Sequence, residues 1–595
     1  MSSTRKVALI ILGLLGAGLL ICVIGVVLIW SVFRKSEPSI RDNTVLTLRI
    51  AGELPDYTPD DPFKKFFGGP DQSLTGLVMQ FKKAKVDKRI KGILLDVNMS
   101  GVGWGKAEEI RDAITDFRSS GKPVYAYVEF GLNKEYYIAT ACDKIIVPPP
   151  GELFINGLAA DVMFFRGSLD KLGIYPDIYQ IGKYKSAGDM FTQKQMTDAH
   201  REYINSMLDD LYNRYIVAIA QARHKTPDEV KTLIDNAPYS GAKAKEVGLV
   251  DDVLYKDDVE NQFKKLLGYK ETDQFVSVRG VDYRDVAPES LGLNKGDKIA
   301  VIYASGEIGS GTSQNSPSGD QSIGSDTLAK ALNDAAADKS LKAIVLRVDS
   351  PGGSGLASDI IWHAVEEANK KKPVVVSMSD VAASGGYYIS ASAAKIVAQP
   401  STITGSIGVV AGKPVMRGFY DWLGISNEYV LRGKNAGMFR ETEKFSDDER
   451  AKFEEWIKTT YYNDFVPKVA KGRNKDAQYI DSIAQGRVWT GGQAKERGLV
   501  DEFGGLDKAI EVAKQLAKIP ADKDVERVIL PYPTTFLQQL LSNSGENSNT
   551  KIEQQRAVFA ALPEDARRAL RYMQLMEKMK NGDTMLVMPF DIRIK

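Results

Sequence analysis

The 595-residue chain repeats itself, and that repeat limits its fold more than any single motif does. Residues 87–97 (DKRIKGILLDV) match 338–348 (DKSLKAIVLRV), 122–128 (KPVYAYV) match 372–378 (KPVVVSM), and 136–149 (YYIATACDKIIVPP) match 387–400 (YYISASAAKIVAQP). Farther along, LGI at 172–174 answers LGI at 423–425, and 239–252 (YSGAKAKEVGLVDD) answers 489–502 (WTGGQAKERGLVDE). The offset stays at 250 or 251 throughout, which chance does not produce, so the chain holds two homologous units, 41–290 and 291–525.

Within each unit, β-branched runs such as 93–97 and 374–378 alternate with helical stretches such as 107–117 and 359–370. That alternation predicts an α/β fold with largely parallel strands. Long helical patterns at 193–223 and 446–471 follow the strand-rich part of each unit, and 311–323 and 542–550 read as polar loops. Residues 526–595 are expected to form a C-terminal helical extension, with an amphipathic pattern over 552–582.

Residues 1–40 carry a different signal. From Val7 to Phe33 no charge interrupts the apolar run, which as a helix at about 1.5 Å per residue reaches roughly 40 Å. A cleavable leader has a shorter apolar core ending in small residues, whereas this run ends in Trp30-Ser31-Val32-Phe33, so a membrane anchor is expected. Arg5 and Lys6 before it and Arg34 and Lys35 after it leave its orientation open.

Composition narrows the function. The 78 basic and 77 acidic side chains cancel to +1, so no bulk field favours nucleic acid. Cys22 lies in the apolar run and Cys142 is the other cysteine, which excludes a disulfide framework. His200, His224 and His363 have no zinc-like spacing, and neither a metal nor a cofactor is expected.

What one unit keeps and the other loses points to chemistry. The second unit has Asp349-Ser350-Pro351-Gly352-Gly353-Ser354 after a strand, where the first has Asn98-Met99-Ser100-Gly101-Val102-Gly103. Adjacent glycines let backbone N–H groups approach a bound carbonyl, although a tight turn is the plainer reading. The second unit then places Ser384-Gly385-Gly386 just ahead of a helix, where the first has Asn133-Lys134-Glu135. Such a serine is ordinarily an N-cap. Conversely, Lys183 in the first unit has a partner in Lys434, but Lys185 has none. An isolated lysine is ordinarily exposed, yet a buried one with a lowered pKa accepts a hydroxyl proton. Complementary losses are explained by one composite site across the two units.

At these residues the chain resembles the signal peptide peptidase A family, also called protease IV, in its long duplicated form. The resemblance rests on GKYKSA at 182–187, DSPGGS at 349–354, AASGGYY at 382–388 and TGSIG at 404–408, together with the anchor and both repeats. It implies tandem Clp protease/crotonase-like domains, Ser384 as nucleophile, Lys185 as general base and a Ser406 hydroxyl orienting the lysine. The oxyanion would rest on N–H groups of Gly352 or Gly353 and of Gly385. The resemblance further implies a single-pass protein of the inner membrane, a periplasmic catalytic body, a homotetramer, and remnant signal peptides as substrates. Two other readings remain: a crotonase-like acyl-CoA enzyme, which makes no use of Ser384 or Lys185, and a catalytically silent membrane scaffold.

Overall fold

The computed structural model describes residues 38–58, 72–270, 272–313, 322–531, 562, 567, 570, 584–588 and 593–594. In the first unit, strands Asp252–Val253, Lys144–Val147, Val124–Tyr127, Ile90–Ser100, Thr44–Gly52 and Ser277–Arg279 lie side by side, every pair parallel. The second unit repeats this order with Glu502–Phe503, Lys395–Ala398, Val374–Ala383, Leu341–Ser350, Asp297–Ser305 and Val525–Leu530, again parallel. It adds Ile403–Gly405 beside the end of Val374–Ala383 and an antiparallel Val488–Thr490.

These strands are near-continuous apolar runs because both faces are covered. Successive side chains point to opposite faces. On one face of the second sheet Ile302, Leu346 and Val376 join a core with Leu332 and Ile361 from helices Ser325–Ala337 and Gly355–Lys371. On the other, Val301, Val345 and Val375 pack against Ala509 and Ala513 of helix Leu506–Leu516. Burying each such aliphatic side chain is worth roughly 1.5–3 kcal/mol.

A third, mixed sheet joins the units. Strand Tyr175–Ile181 of the first pairs antiparallel with Val409–Val415 of the second, from Ile181 opposite Val409 to Tyr175 opposite Val415. Next to it lie Met585–Val587, Gly352–Ser354, Glu307–Gly309 and Ser322–Gly324.

A buried charge network adds a second seam. Arg347, 1% exposed, donates to Asp56 and Glu109 of the first unit and to Ser377 and Ser379 of its own. Lys106 of the first unit pairs with Asp349 at 2.8 Å. Burial, with the carboxylates of Asp56 and Asp380 nearby, pushes Asp349 up to about 6 despite that ammonium.

The strands expected at 93–97 and 374–378 and the helices at 107–117 and 359–370 all fall within observed elements. The helix expected from 193 begins at Asp198, because the Thr197 side chain caps it by accepting from His200 N. The one expected over 446–471 starts after its Ser446 cap and passes through a π-turn at Thr460–Phe465. The Gly352–Gly353 pair forms a short strand rather than a turn, because strands on both sides supply backbone partners. Val525–Leu530 straddles the expected boundary at 525 and opens the C-terminal region as an edge strand. The apolar run 7–33, the loop 542–550 and nearly all of the 552–582 pattern lie outside the described residues. Among the described residues no helix is long and apolar enough to cross a membrane.

Candidate active site

The strand that crosses between the units delivers Lys185. After Ile181 the chain turns, with Tyr184 N donating to Gln485 O at 2.7 Å and Lys185 N to Gly182 O at 3.0 Å. The second unit's backbone presses against this turn: a Cβ on Gly486 would lie 2.5 Å from Lys185 Cα. The lysine stem is thereby sheathed, and the residue is 1% exposed.

Ser384 meets it from the other side. Strand Val374–Ala383 ends at this serine, which holds φ at +54°, a backbone conformation that costs a non-glycine residue about 1–3 kcal/mol. Two backbone bonds hold it there: Ser384 N donates to Gly405 O, and Tyr388 N donates to Ser384 O, both at 2.8 Å. Helix Gly385–Ser390 follows, but the Ser384 hydroxyl makes no cap bond. It lies instead 2.9 Å from Lys185 Nζ.

Ser406 completes the amine's surroundings, with its carbonyl and its hydroxyl oxygen each 3.1 Å from Nζ. No carboxylate is among these contacts, and burial alone holds the lysine well below its ordinary pKa of 10.5. A neutral amine has two N–H donors and one lone pair. The two Ser406 oxygens match the donors, which leaves the lone pair for the Ser384 O–H.

Backbone amides gather beside the hydroxyl. Gly352 has φ +109°, and a Cβ there would lie 2.8 Å from Gly385 N, while one on Gly385 would lie 3.1 Å from Gly353 N. As the first residue of its helix, Gly385 has no intrahelical acceptor for its N–H. The structure therefore brings Ser384, Lys185, Ser406, Gly352, Gly353 and Gly385 into one place, from both units.

The first unit's corresponding locus is filled by its own side chains. Asn133, in the position of Ser384, donates through Nδ2 to Gly157 O, and Glu135 accepts from Ser100 N at 2.7 Å. Lys183 and Lys434 are both exposed, with carboxylate partners Glu202 and Asp448.

Two features escaped the sequence reading. Ser186 Oγ lies 2.6 Å from Tyr203 OH just behind Lys185, and Tyr203 stacks on His200, which is 1% exposed. The charge network around Arg347 was also unforeseen, although a charge mid-strand was visible in both units, at Asp96 and Arg347. His363, Glu366 and Glu367 do converge on one helix face, with the two carboxylates paired to Lys471 and Lys370.

A buried amine facing a strained serine, beside converging backbone amides on a duplicated α/β scaffold, defines a serine hydrolase. The comparisons with known proteins narrow this to a peptidase: the model for peptidase family S49 matches residues 116–270 and again 366–520. The chloroplastic serine protease SPPA of Arabidopsis thaliana is 37% identical over 509 residues, covering 85% of this chain and 74% of that protein. Protease 4 of Haemophilus influenzae is 31% identical, covering 91% of this chain and 88% of its own length. Protease 4 of Salmonella typhi is 35% identical, with coverages of 76% and 73%. The chain belongs to peptidase family S49 and is a serine peptidase.

Proposed function

We propose that the chain is a membrane-anchored endopeptidase, with the fold shared by Clp protease and crotonase, that works through a Ser384/Lys185 dyad. The observation that carries this reading is the 2.9 Å separation of Lys185 Nζ and Ser384 Oγ, with no carboxylate among the amine's hydrogen-bond partners in the described residues. Neutral Lys185 takes the hydroxyl proton as Oγ attacks the scissile carbonyl. The oxyanion accepts N–H groups of Gly352 or Gly353 and of Gly385, each donor worth about 3 kcal/mol in the transition state. The lysine ammonium then protonates the leaving amine, and the C–N bond breaks. A water, deprotonated by the same amine, attacks the ester carbon and releases the acid with Ser384 restored. Ser406 keeps the lone pair aimed.

The uncharged run Val7–Phe33 supports a single-pass anchor, and the resemblance to the long duplicated family carries the reading of an inner-membrane anchor with the catalytic body on the periplasmic side. Tethering beside the bilayer favours apolar peptides, and we assign remnant signal peptides as substrates after their release from preproteins. Helix Arg417–Leu423 buries none of its residues, and Trp422, Leu423, Ile425 and Val430 are exposed nearby. Such a patch favours contact with further copies of this chain, in keeping with a homotetramer.

The test is labelling with a fluorophosphonate probe and digestion of the labelled chain. The label is expected on Ser384 and is lost in both Ser384→Ala and Lys185→Ala. Labelling of Lys185→Ala at the native rate would overturn the dyad.

A further inference from the structure

Lys185 sits on a turn rather than on a helix or strand. Strand Tyr175–Ile181 ends four residues before it, and helix Asp189–Thr192 begins four residues after it. Only the neighbours of such a side chain can aim it, yet Nζ has to stay dry and 2.9 Å from Ser384 Oγ. Backbone bonds from Tyr184 N and Lys185 N hold the near side of the turn. Side chains of helix Asp198–Arg223 hold the far side.

Ser186, bonded directly to the base-bearing residue, places its Oγ 2.6 Å from Tyr203 OH, and Ser186 and Tyr203 are 2% and 0% exposed. Burial raises the tyrosine's pKa, so its hydroxyl keeps the proton at neutral pH. One turn earlier on the helix, His200 stacks on the Tyr203 ring with centroids 5.2 Å apart and planes 8° apart, which fixes the ring's orientation. His200 Nδ1 also faces Asp189 Oδ2 at 3.6 Å, and Asp189 Oδ1 accepts from Gln180 Nε2 at 3.0 Å. One face of a 26-residue helix thus meets the turn at Ser186 and again at Asp189.

The repeats show that this arrangement goes with the base. Gly182-Lys183-Tyr184-Lys185-Ser186-Ala187-Gly188 stands against Gly433-Lys434-Asn435-Ala436-Gly437 in the second unit, so the two added residues are Lys185 and Ser186 themselves. The helices that follow align on their caps, Thr197 and Ser446, and an exposed Lys452 then stands where Tyr203 does. A device needed for the fold alone would recur in both units. The serine and the tyrosine occur only where a lysine has to be held.

Resting on the Ser384/Lys185 reading, we propose that Tyr203 is a positioning residue for the general base. Through Ser186 its hydroxyl fixes the backbone that carries Lys185, which keeps Nζ sealed from water and its lone pair on the Ser384 O–H. Without that hydroxyl the turn shifts, water reaches the amine, and hydration favours the charged form that cannot act as a base.

The experiment compares the full chain with Tyr203→Phe, which removes one oxygen and leaves the ring on His200. The pH dependence of Ser384 phosphonylation by a fluorophosphonate, kcat and KM on a fluorogenic peptide, and melting temperature are measured together. The lysine's midpoint is expected to move up by about one unit, toward 10.5. Below the midpoint, the rate and kcat are then expected to fall about tenfold with KM nearly unchanged. Ser186→Ala is expected to give the same displacement, and the double variant no more than either single one, because all three lose one and the same hydrogen bond. A lower melting temperature with the native pH profile, or single effects that add in the double variant, overturns the proposal. Should Tyr203→Phe fail to fold, Ser186→Ala decides by the same profile. Absence of any label on Ser384 in the native chain would refute the dyad instead, which keeps the two failures apart.

Discussion

Replacing Arg347 with methionine tests whether the two units are locked by buried charge as well as by the shared sheet. The guanidinium donates to Asp56 at 2.8 and 3.0 Å, to Glu109 at 2.7 Å, and to the Ser377 and Ser379 hydroxyls. Burial alone would raise the Asp56 carboxyl, but Arg347 and Lys106 outweigh it and hold it below its ordinary 3.8. Glu109 is raised, because there burial outweighs the same guanidinium. Removing the cation leaves Asp56 charged, buried and short of its main partner, a loss worth about 3–5 kcal/mol. A depressed carboxylate contributes stability that is present above its unfolded pKa of 3.8 and is lost as pH falls through its lower folded value. In the variant that contribution becomes a penalty, which protonation relieves, so the defect shrinks in acid. Urea unfolding followed by tryptophan fluorescence at pH 7.5 and pH 5 measures both effects. Arg347→Lys, which keeps the charge but not the fork, is expected to recover part of the loss. A change under about 1 kcal/mol at pH 7.5, or a defect that grows in acid, would refute the reasoning.

Ser406→Ala removes one of the two oxygens that take the amine's hydrogens, and kcat/KM is expected to fall about tenfold with KM nearly unchanged, in steady-state assays on a fluorogenic peptide. Gly352→Ala brings a Cβ to within 2.8 Å of Gly385 N, one of the amides assigned to the oxyanion, at a φ of +109°, and loss of at least about a hundredfold in acylation rate is expected. Lys185→Met is expected to abolish acylation while raising the melting temperature near neutral pH. The folded chain holds this amine well below 10.5, so it binds fewer protons than the unfolded chain, and native stability rises with pH up to 10.5. Keeping the amine neutral costs about 1.4 kcal/mol per unit of depression. Methionine removes that cost, and calorimetry across pH checks that the slope disappears with it.

The repeat made the sheets legible, because equal offsets force equivalent strands into equivalent places, and both units build the same order. Lys185 was legible by contrast, since the paired Lys183 and Lys434 proved to be surface residues. The Gly352–Gly353 strand was not, because its partner Met585–Val587 is remote in sequence and too short to stand out from its neighbours. The ordinary N-cap alternative for Ser384 does not describe it: the residue holds a positive φ and its hydroxyl makes no cap bond, neither of which residue types alone encode. His200 lies in sequence among the charges of Asp198, Arg201 and Glu202. Yet His200, Tyr203, Ile204, Met207 and Leu211 recur at helical spacing and form the buried face of Asp198–Arg223. That signal was present and was masked by local charge density.

The central claim is that an unprotonated Lys185 activates Ser384, and the pH dependence of Ser384 phosphonylation by a fluorophosphonate, in which Oγ displaces fluoride from phosphorus, tests it most directly. The rate is expected to rise with pH and level off at a depressed lysine pKa, well short of 10.5, with the rise absent in Lys185→Ala. A rate that is flat between pH 5 and 9, or a rise that persists without the lysine, would contradict it.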